Sequence, residues 1–185
     1  TYPKASLDTL MNHIGTHDTE RAITRLAEES AVGKGREWQN EHNNMPKEKY
    51  KLGVKMLKIA SAIQYTLPGI PSLYYGDEIG MEGMKDPFNR KTMIWDNQDK
   101  NLLKWYKRLG EIRNGCKAFS DGEFVPVVYQ DSVVAYERVC DENSVLVCVN
   151  PSNEEKTVFV DDWNFAYNIL GELPIESTLK LKPMS

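Results

Sequence analysis

The sequence predicts an α/β unit followed by an all-β unit, and three observations carry that reading. Short apolar runs alternate with helical periods from Leu10 to Asn114, the order that marks parallel α/β architecture. After Gly115 the pattern changes to short β-rich runs separated by turn residues at hairpin distances. No internal repeat links the two parts, so the boundary is placed near Lys117, giving units 1–116 and 117–185.

Residues 10 to 15 read as a short buried strand. From Thr19 to about Ser30 the period is helical, with Ala22, Ile23, Leu26 and Ala27 on one face. A polar excursion, "AVGKGREWQNEHNNMP", follows and is long enough to be functional rather than a simple connection. Pro46 opens an amphipathic helix that runs to Leu67, with Tyr50, Val54, Leu57 and Ile63 as core candidates. Pro68 and Gly69 stop it. "IPSLYY" is the next strand, "GDEIGMEGMKDPFNRKTMIWD" a polar and aromatic loop, and Lys100 to Asn114 a last helix. Beyond it, "GEFVPVVY", "SVVAYERV", "SVLVCVN" and "KTVFVDD" are strands. Trp163 to Ser185 continues in that style, with "LKLKP" the final strand of a small antiparallel sandwich.

Composition excludes several classes. The 185 residues are 41% hydrophobic and 27% charged, which places the chain among globular proteins and not disordered ones. No apolar run approaches the roughly 20 residues of a membrane span. A net charge of −4 without a basic stripe argues against a nucleic-acid partner. The locally basic "KEKYKLGVKMLK" reads as the solvated face of its helix. Cys116, Cys140 and Cys148 make an odd count without metal spacing and read as reduced thiols, which fits a cytoplasmic protein. "TYPKASLDTL" has no signal-peptide pattern and no initiating Met, as a cut end would look. Any secretion signal would then precede it.

Two polar clusters follow the ends of apolar strands, where parallel α/β folds bind ligands. In "LMNHIGTHDTERAIT", His17, Asp18, Glu20 and Arg21 crowd together. Asp18 reads either as the N-cap of the following helix, with Glu20 a favourable acid in its first turn, or as a site residue. His13 and His17 are four apart but lie in a strand-like segment with Gly15 between them, and no Glu or Cys stands at ligand spacing. No metal is expected, and no cofactor. The second cluster offers Asp77, Glu78, Asp86 and Arg90 among Tyr74, Tyr75, Phe88 and Trp95. Carboxylates beside an Arg can grip hydroxyls through charge-assisted bonds, and aromatic faces suit the apolar faces of a sugar ring. The plainer reading makes the tyrosines strand core, preferred for Tyr74, and Asp86-Pro87 the start of a turn.

"HIGTHDTER" followed by "LPGIPSLYYGDEIGMEGMKDPFNRKTMIW" resembles the end of the catalytic barrel in the α-amylase superfamily, glycoside hydrolase family 13. The likeness is strongest to its neopullulanase, cyclomaltodextrinase and maltogenic amylase branch. It covers nearly the whole chain, since "GEFVPVVYQDSVVAYERV…SVLVCVNPS" is similar to that family's C-terminal β domain. The resemblance implies the last two β/α units of a TIM (β/α)8 barrel, with residues 10 to 15 as strand seven and 71 to 75 as strand eight. It implies that Asp18 is the carboxylate that holds sugar hydroxyls and steadies the distorted ring, that His17 donates to the same sugar, and that Asp86 and Arg90 grip the next glucose unit. Thr16 stands where most of the wider family has Asn; Ser or Thr is frequent in this branch.

The same resemblance puts the nucleophile and the general acid after strands four and five, which this chain lacks. A retaining glycosidase needs that pair about 5 to 5.5 Å apart. Asp18 with Glu78 is a local substitute that the family motif does not support. The expected function is therefore the C-terminal portion of an α-glucan hydrolase, cleaving α-1,4 links with retention, with α-1,6 links left open, and inactive as an isolated chain. The expected partner is an α-glucan oligosaccharide, with self-association through exposed barrel edges. Two rivals remain: a non-catalytic relative of the family, and a carbohydrate-binding module on the β domain, whose one tryptophan is Trp163.

Overall fold

The computed structural model describes residues 2–27, 29–130, 132–159, 167–170 and 178–185. The chain forms two compact units, Thr1–Asn114 and Gly115–Ser185. Part of the expected strand "KTVFVDD" and the segment around Trp163 lie outside the described residues.

In the first unit a one-turn helix, α1 (Lys4–Asp8), leads into β1 (Met11–Asn12), and β1 pairs in parallel with β2 (Ile70–Pro71). Both strands are shorter than the apolar runs that contain them. Ile70 donates its N–H to Leu10 O and Ser72 to Asn12 O, each at 2.7 Å. Beyond Ser72, Tyr74 O instead accepts the Asp77 N–H in a turn, so "IPSLYY" leaves the ladder after two residues. Gly69, at φ 100°, permits this register, because a Cβ there would stand 2.6 Å from Leu10 O.

Helix α2 covers Ala22–Leu26 only, not Thr19 to Ser30. The excursion contains a further helix, α3 (Arg36–Glu41), where Trp38 stacks on His42 with ring centroids 4.1 Å apart. Helix α4 (Lys47–Thr66) follows Pro46, which has no N–H to leave unpaired at a helix start. Helix α5 (Lys100–Gly115) is capped by Asp99, whose Oδ1 accepts the N–H groups of Asn101 and Leu102 at 3.0 and 2.9 Å.

Ala22, Ile23, Leu57, Leu102 and Tyr106 form the core of this unit, with Leu26, Tyr50 and Val54 packed against it. Contact between α2 and α4 depends on Gly53, where a Cβ would meet Ile23 O at 2.6 Å. Polar links complete the packing. Trp105 Nε1 donates to Ser61 Oγ at 3.0 Å, joining α5 to α4. Gln64 Nε2 donates to Asn12 O and Ser72 O at 2.8 and 2.9 Å, so one α4 side chain clamps both strand ends.

The second unit is antiparallel. β3 (Glu123–Gln130), β4 (Val133–Val139) and β5 (Ser144–Val149) form one sheet in that order, with a bulge between Pro126 and Val128. β6 (Lys156–Phe159) and β7 (Thr178–Leu181) form another. Val133 from the first sheet and Val158 and Leu181 from the second share a core cluster, joined by Leu146, Cys148 and Leu179. Cys148 lies opposite Ala135, not Cys140, and Cys116, Cys140 and Cys148 are free thiols.

Candidate active site

The loop between β1 and α2 carries the first predicted pair. A turn closes it: Asp18 donates its N–H to Thr16 Oγ1 at 3.2 Å, and Thr16 donates to Thr19 Oγ1 at 3.3 Å. Asp18 does not cap α2; the N-cap position is Arg21, three residues further on, with no side-chain cap bond. Glu20 likewise precedes the helix. It is buried, and it accepts the Ala31 N–H at 3.0 Å, bracing the start of the excursion.

Freed from capping, the Asp18 carboxylate is 71% exposed. Its Oδ1 lies 3.4 Å from His17 Nε2 and 3.6 Å from an Arg90 guanidinium nitrogen. Arg90 Nε lies 3.1 Å from Asp86 Oδ1 and donates to His17 O at the same distance. The structure thus brings His17, Asp18, Asp86 and Arg90 together on one open surface. Ion pairs this exposed stabilise by only about 0–1 kcal/mol, so they add little to folding. What they leave is an array of carboxylate lone pairs and N–H donors facing solvent, able to bond several hydroxyls at once.

The support beneath this surface is largely polar and buried. Arg21 is 1% exposed. Its guanidinium donates to Tyr75 O, lies 3.5 Å from Asp77 Oδ1, and is flanked by the Tyr74 and Tyr75 rings at 4.3 and 4.6 Å. Burial pushes the Asp77 carboxyl up to about 7, against the downward pull of Arg21. Asp77 is therefore a supporting group and not a ligand-facing one. Tyr74 is not strand core: its ring lies under Arg21, and its hydroxyl reaches Asn89 O at 3.5 Å. Glu78 Oε2 accepts the Gly76 N–H at 2.8 Å, an internal cap of the short 3-10 turn Asp77–Ile79.

Asn89, fully buried in the 3-10 turn Phe88–Arg90, donates from Nδ2 to His17 O and Thr19 O at 2.8 and 2.6 Å. Trp95 is 78% exposed. A surface groove lined by Met45, Tyr50, Glu82, Lys91, Ile94 and Gln98 contains none of the four clustered residues. Burial raises the Glu82 carboxyl and lowers the Lys91 amine there, each against the opposing charge of the other. Among the described residues no cluster of His, Cys, Asp and Glu is arranged to hold a metal ion.

Sequence reasoning found the four exposed residues but assigned no role to Arg21 or Asn89. A lone Arg ahead of an apolar helix face, and an Asn inside "DPFNR", carry no local signal of burial.

No protein-family model matches the chain. Individual relatives do. An amylopullulanase from Thermoanaerobacterium thermosulfurigenes is 30% identical over 175 residues, 89% of this chain and 9% of that protein. A cyclomaltodextrinase from Thermoanaerobacter pseudethanolicus is 34% identical over 155 residues, 83% of this chain and 23% of that one. Neopullulanase 2 from Thermoactinomyces vulgaris is 30% identical over 163 residues, 86% of this chain and 24% of its own length. Among solved structures, a cyclomaltodextrinase superposes with a TM-score of 0.67 at 29% identity, covering 85% of this chain and 24% of that one. An Anoxybacillus α-amylase gives 0.77 at 25% identity, covering 96% and 37%. With an α/β unit, an antiparallel unit and a carboxylate-and-arginine surface at the end of a parallel strand pair, the chain belongs to the α-amylase family, glycoside hydrolase family 13. Within it, these relatives place the chain in the neopullulanase and cyclomaltodextrinase branch. The chain spans about a tenth to a quarter of the length of these curated relatives.

Proposed function

We propose that this chain supplies one wall of the active site of a retaining α-glucan hydrolase. On this reading the first unit is the last two β/α units of a (β/α)8 barrel, with β1 and β2 as strands seven and eight, and the second is the C-terminal β sandwich. The observation that carries the proposal is the Asp18 carboxylate, exposed and held between His17 and Arg90, with Asp86 3.1 Å from Nε of that guanidinium.

Asp18 accepts hydroxyl protons from the glucose being distorted, and preorganised charge of this kind stabilises an oxocarbenium-like transition state. His17 donates to the same sugar. Asp86 and Arg90 hold the neighbouring glucose. The nucleophile and general acid come from chain outside these residues. Exposed apolar side chains on the strand pair support that division: Leu10, Met11 and Ile70 are 53%, 65% and 52% exposed, where barrel neighbours would cover them. In isolation the same edges favour self-association, which size-exclusion chromatography would register as a dimer or larger species.

The pure chain, incubated with maltooligosaccharides, pullulan or cyclodextrins, is expected to release no reducing sugar. Asp18-dependent release would overturn the incomplete-site reading and restore Asp18 with Glu78 as a working pair. In NMR titration, millimolar maltotriose is expected to shift resonances of His17, Asp18 and Arg90. Shifts confined to residues 117–185 would instead favour the carbohydrate-binding module.

A further inference from the structure

We infer that Asn89 is the positioning residue for the Asp18 carboxylate, fixing it by gripping the main chain on both sides of it. This rests on the proposed role of Asp18 and adds to it a residue with no exposure of its own. One amide nitrogen, Asn89 Nδ2, donates to the carbonyl before Asp18 and to the carbonyl after it, His17 O at 2.8 Å and Thr19 O at 2.6 Å. Its two hydrogens match the two acceptors, so the amide plane sets the direction in which the intervening residue leaves the backbone.

Nothing else described does this. Arg90 Nε also reaches His17 O, but its side chain is 46% exposed, whereas Asn89 is 0% exposed. The Thr16–Thr19 turn closes the loop on itself and leaves its orientation to be set from outside.

Asn89 is itself placed by a fold-back of its own loop. Gly83 lets the chain return on itself, since a Cβ there would stand 2.3 Å from Phe88 O. Gly83 donates to Thr24 Oγ1 at 3.0 Å and accepts the Arg21 N–H at 2.9 Å, which ties that loop to the start of α2. Tyr74 OH reaches Asn89 O from the Arg21 stack. The buried Arg21 assembly, through Asn89, thereby transmits a fixed geometry to the exposed carboxylate, the arrangement a site needs if its charge is to be preorganised.

The test needs no sugar. In the unmodified chain, both Asn89 side-chain N–H protons are expected to exchange with solvent far more slowly than exposed amides and to show NOEs to Asp18 and Thr19. In Asn89→Leu, similar in volume and without donors, amide exchange at residues 17–19 is expected to rise about tenfold or more while α2 amides are unchanged. Asn89→Gln, which keeps the donor, is expected to restore part of that protection. Freely exchanging Asn89 side-chain protons in the unmodified chain overturn the proposal whatever the variants do. An equal rise across residues 10–30 in Asn89→Leu also overturns it, by making Asn89 a packing residue. If the loop loosens as expected but maltotriose shifts nothing at Asp18, the positioning role stands and the functional reading of Asp18 fails.

Discussion

Asp77 gives the first unit a pH dependence opposite to that of most paired carboxylates. Burial raises its folded-state value from 3.8 to about 7, even with the Arg21 guanidinium 3.5 Å away. A carboxyl whose value is higher in the folded state binds protons more tightly there. Its contribution to stability is fully present below the unfolded value and falls away as pH rises through the folded one. Between about pH 4 and pH 8 the shift corresponds to a loss on the order of 4 kcal/mol, a large share of the 5–15 kcal/mol typical of a domain. The perturbation is Asp77→Asn, which keeps the shape and removes the titration. The assay is urea unfolding followed by tryptophan fluorescence in a Trp163→Phe background, so that Trp38, Trp95 and Trp105 report on the first unit alone. Relative to Asp77→Asn, the parent chain is expected to be more stable at pH 4 than at pH 8. A difference that is flat with pH, or that grows in favour of the parent chain as pH rises, would refute the reasoning. It would mean that Arg21 holds Asp77 ionised in spite of burial.

Two further perturbations test the packing that carries the site. Gly53→Ala gains roughly 1 kcal/mol of helix propensity but places a methyl 2.6 Å from Ile23 O; overpacking at about 1–3 kcal/mol wins, and the melting temperature of the first unit falls. Arg113→Met removes donors to Tyr65 O, at 2.6 Å, and to Gly69 O. Two lost bonds at the end of α4 cost about 1–3 kcal/mol, and hydrogen exchange should show the loosening first at residues 65–72.

Much of the scaffold was legible because its signals are local. Pro46 and the stop at Pro68-Gly69 set expected bounds of Pro46 and Leu67, each within a residue of the observed ends of α4, Lys47 and Thr66. Tyr50, Val54 and Leu57 show the period that packs it on α2 and α5. The hairpin spacing of β3, β4 and β5 gave their order without a tertiary contact in view. Strand length was less legible. "IPSLYY" is apolar throughout, yet a ladder continues only where a neighbour offers partners, and Tyr74 O turns back to Asp77. The short α2 has a related cause. The Thr16–Thr19 turn and the Arg21–Gly83 bond hold residues 16–21 out of helical geometry, so the helix starts at Ala22, the first residue of its apolar face, and not at Thr19.

The site divides in the same way. His17, Asp18, Asp86 and Arg90 stand in strings specific enough to be matched to a family. Arg21, Asp77 and Asn89 were not assigned their roles, because burying a charge or an amide depends on partners more than fifty residues away in the chain, as with Arg21 and Tyr75. Tyr74 was misplaced for the same reason: its neighbour is a guanidinium and not a strand.

The most direct test of the account is Asp18→Asn in a longer protein that includes this chain, assayed on maltooligosaccharides. Because the side chain is exposed and caps nothing, thermal stability should not change, while kcat should fall by roughly 10²- to 10³-fold, the loss expected when preorganised charge is taken from a transition state. A variant that keeps near-native kcat would contradict the claim that this carboxylate steadies the strained sugar.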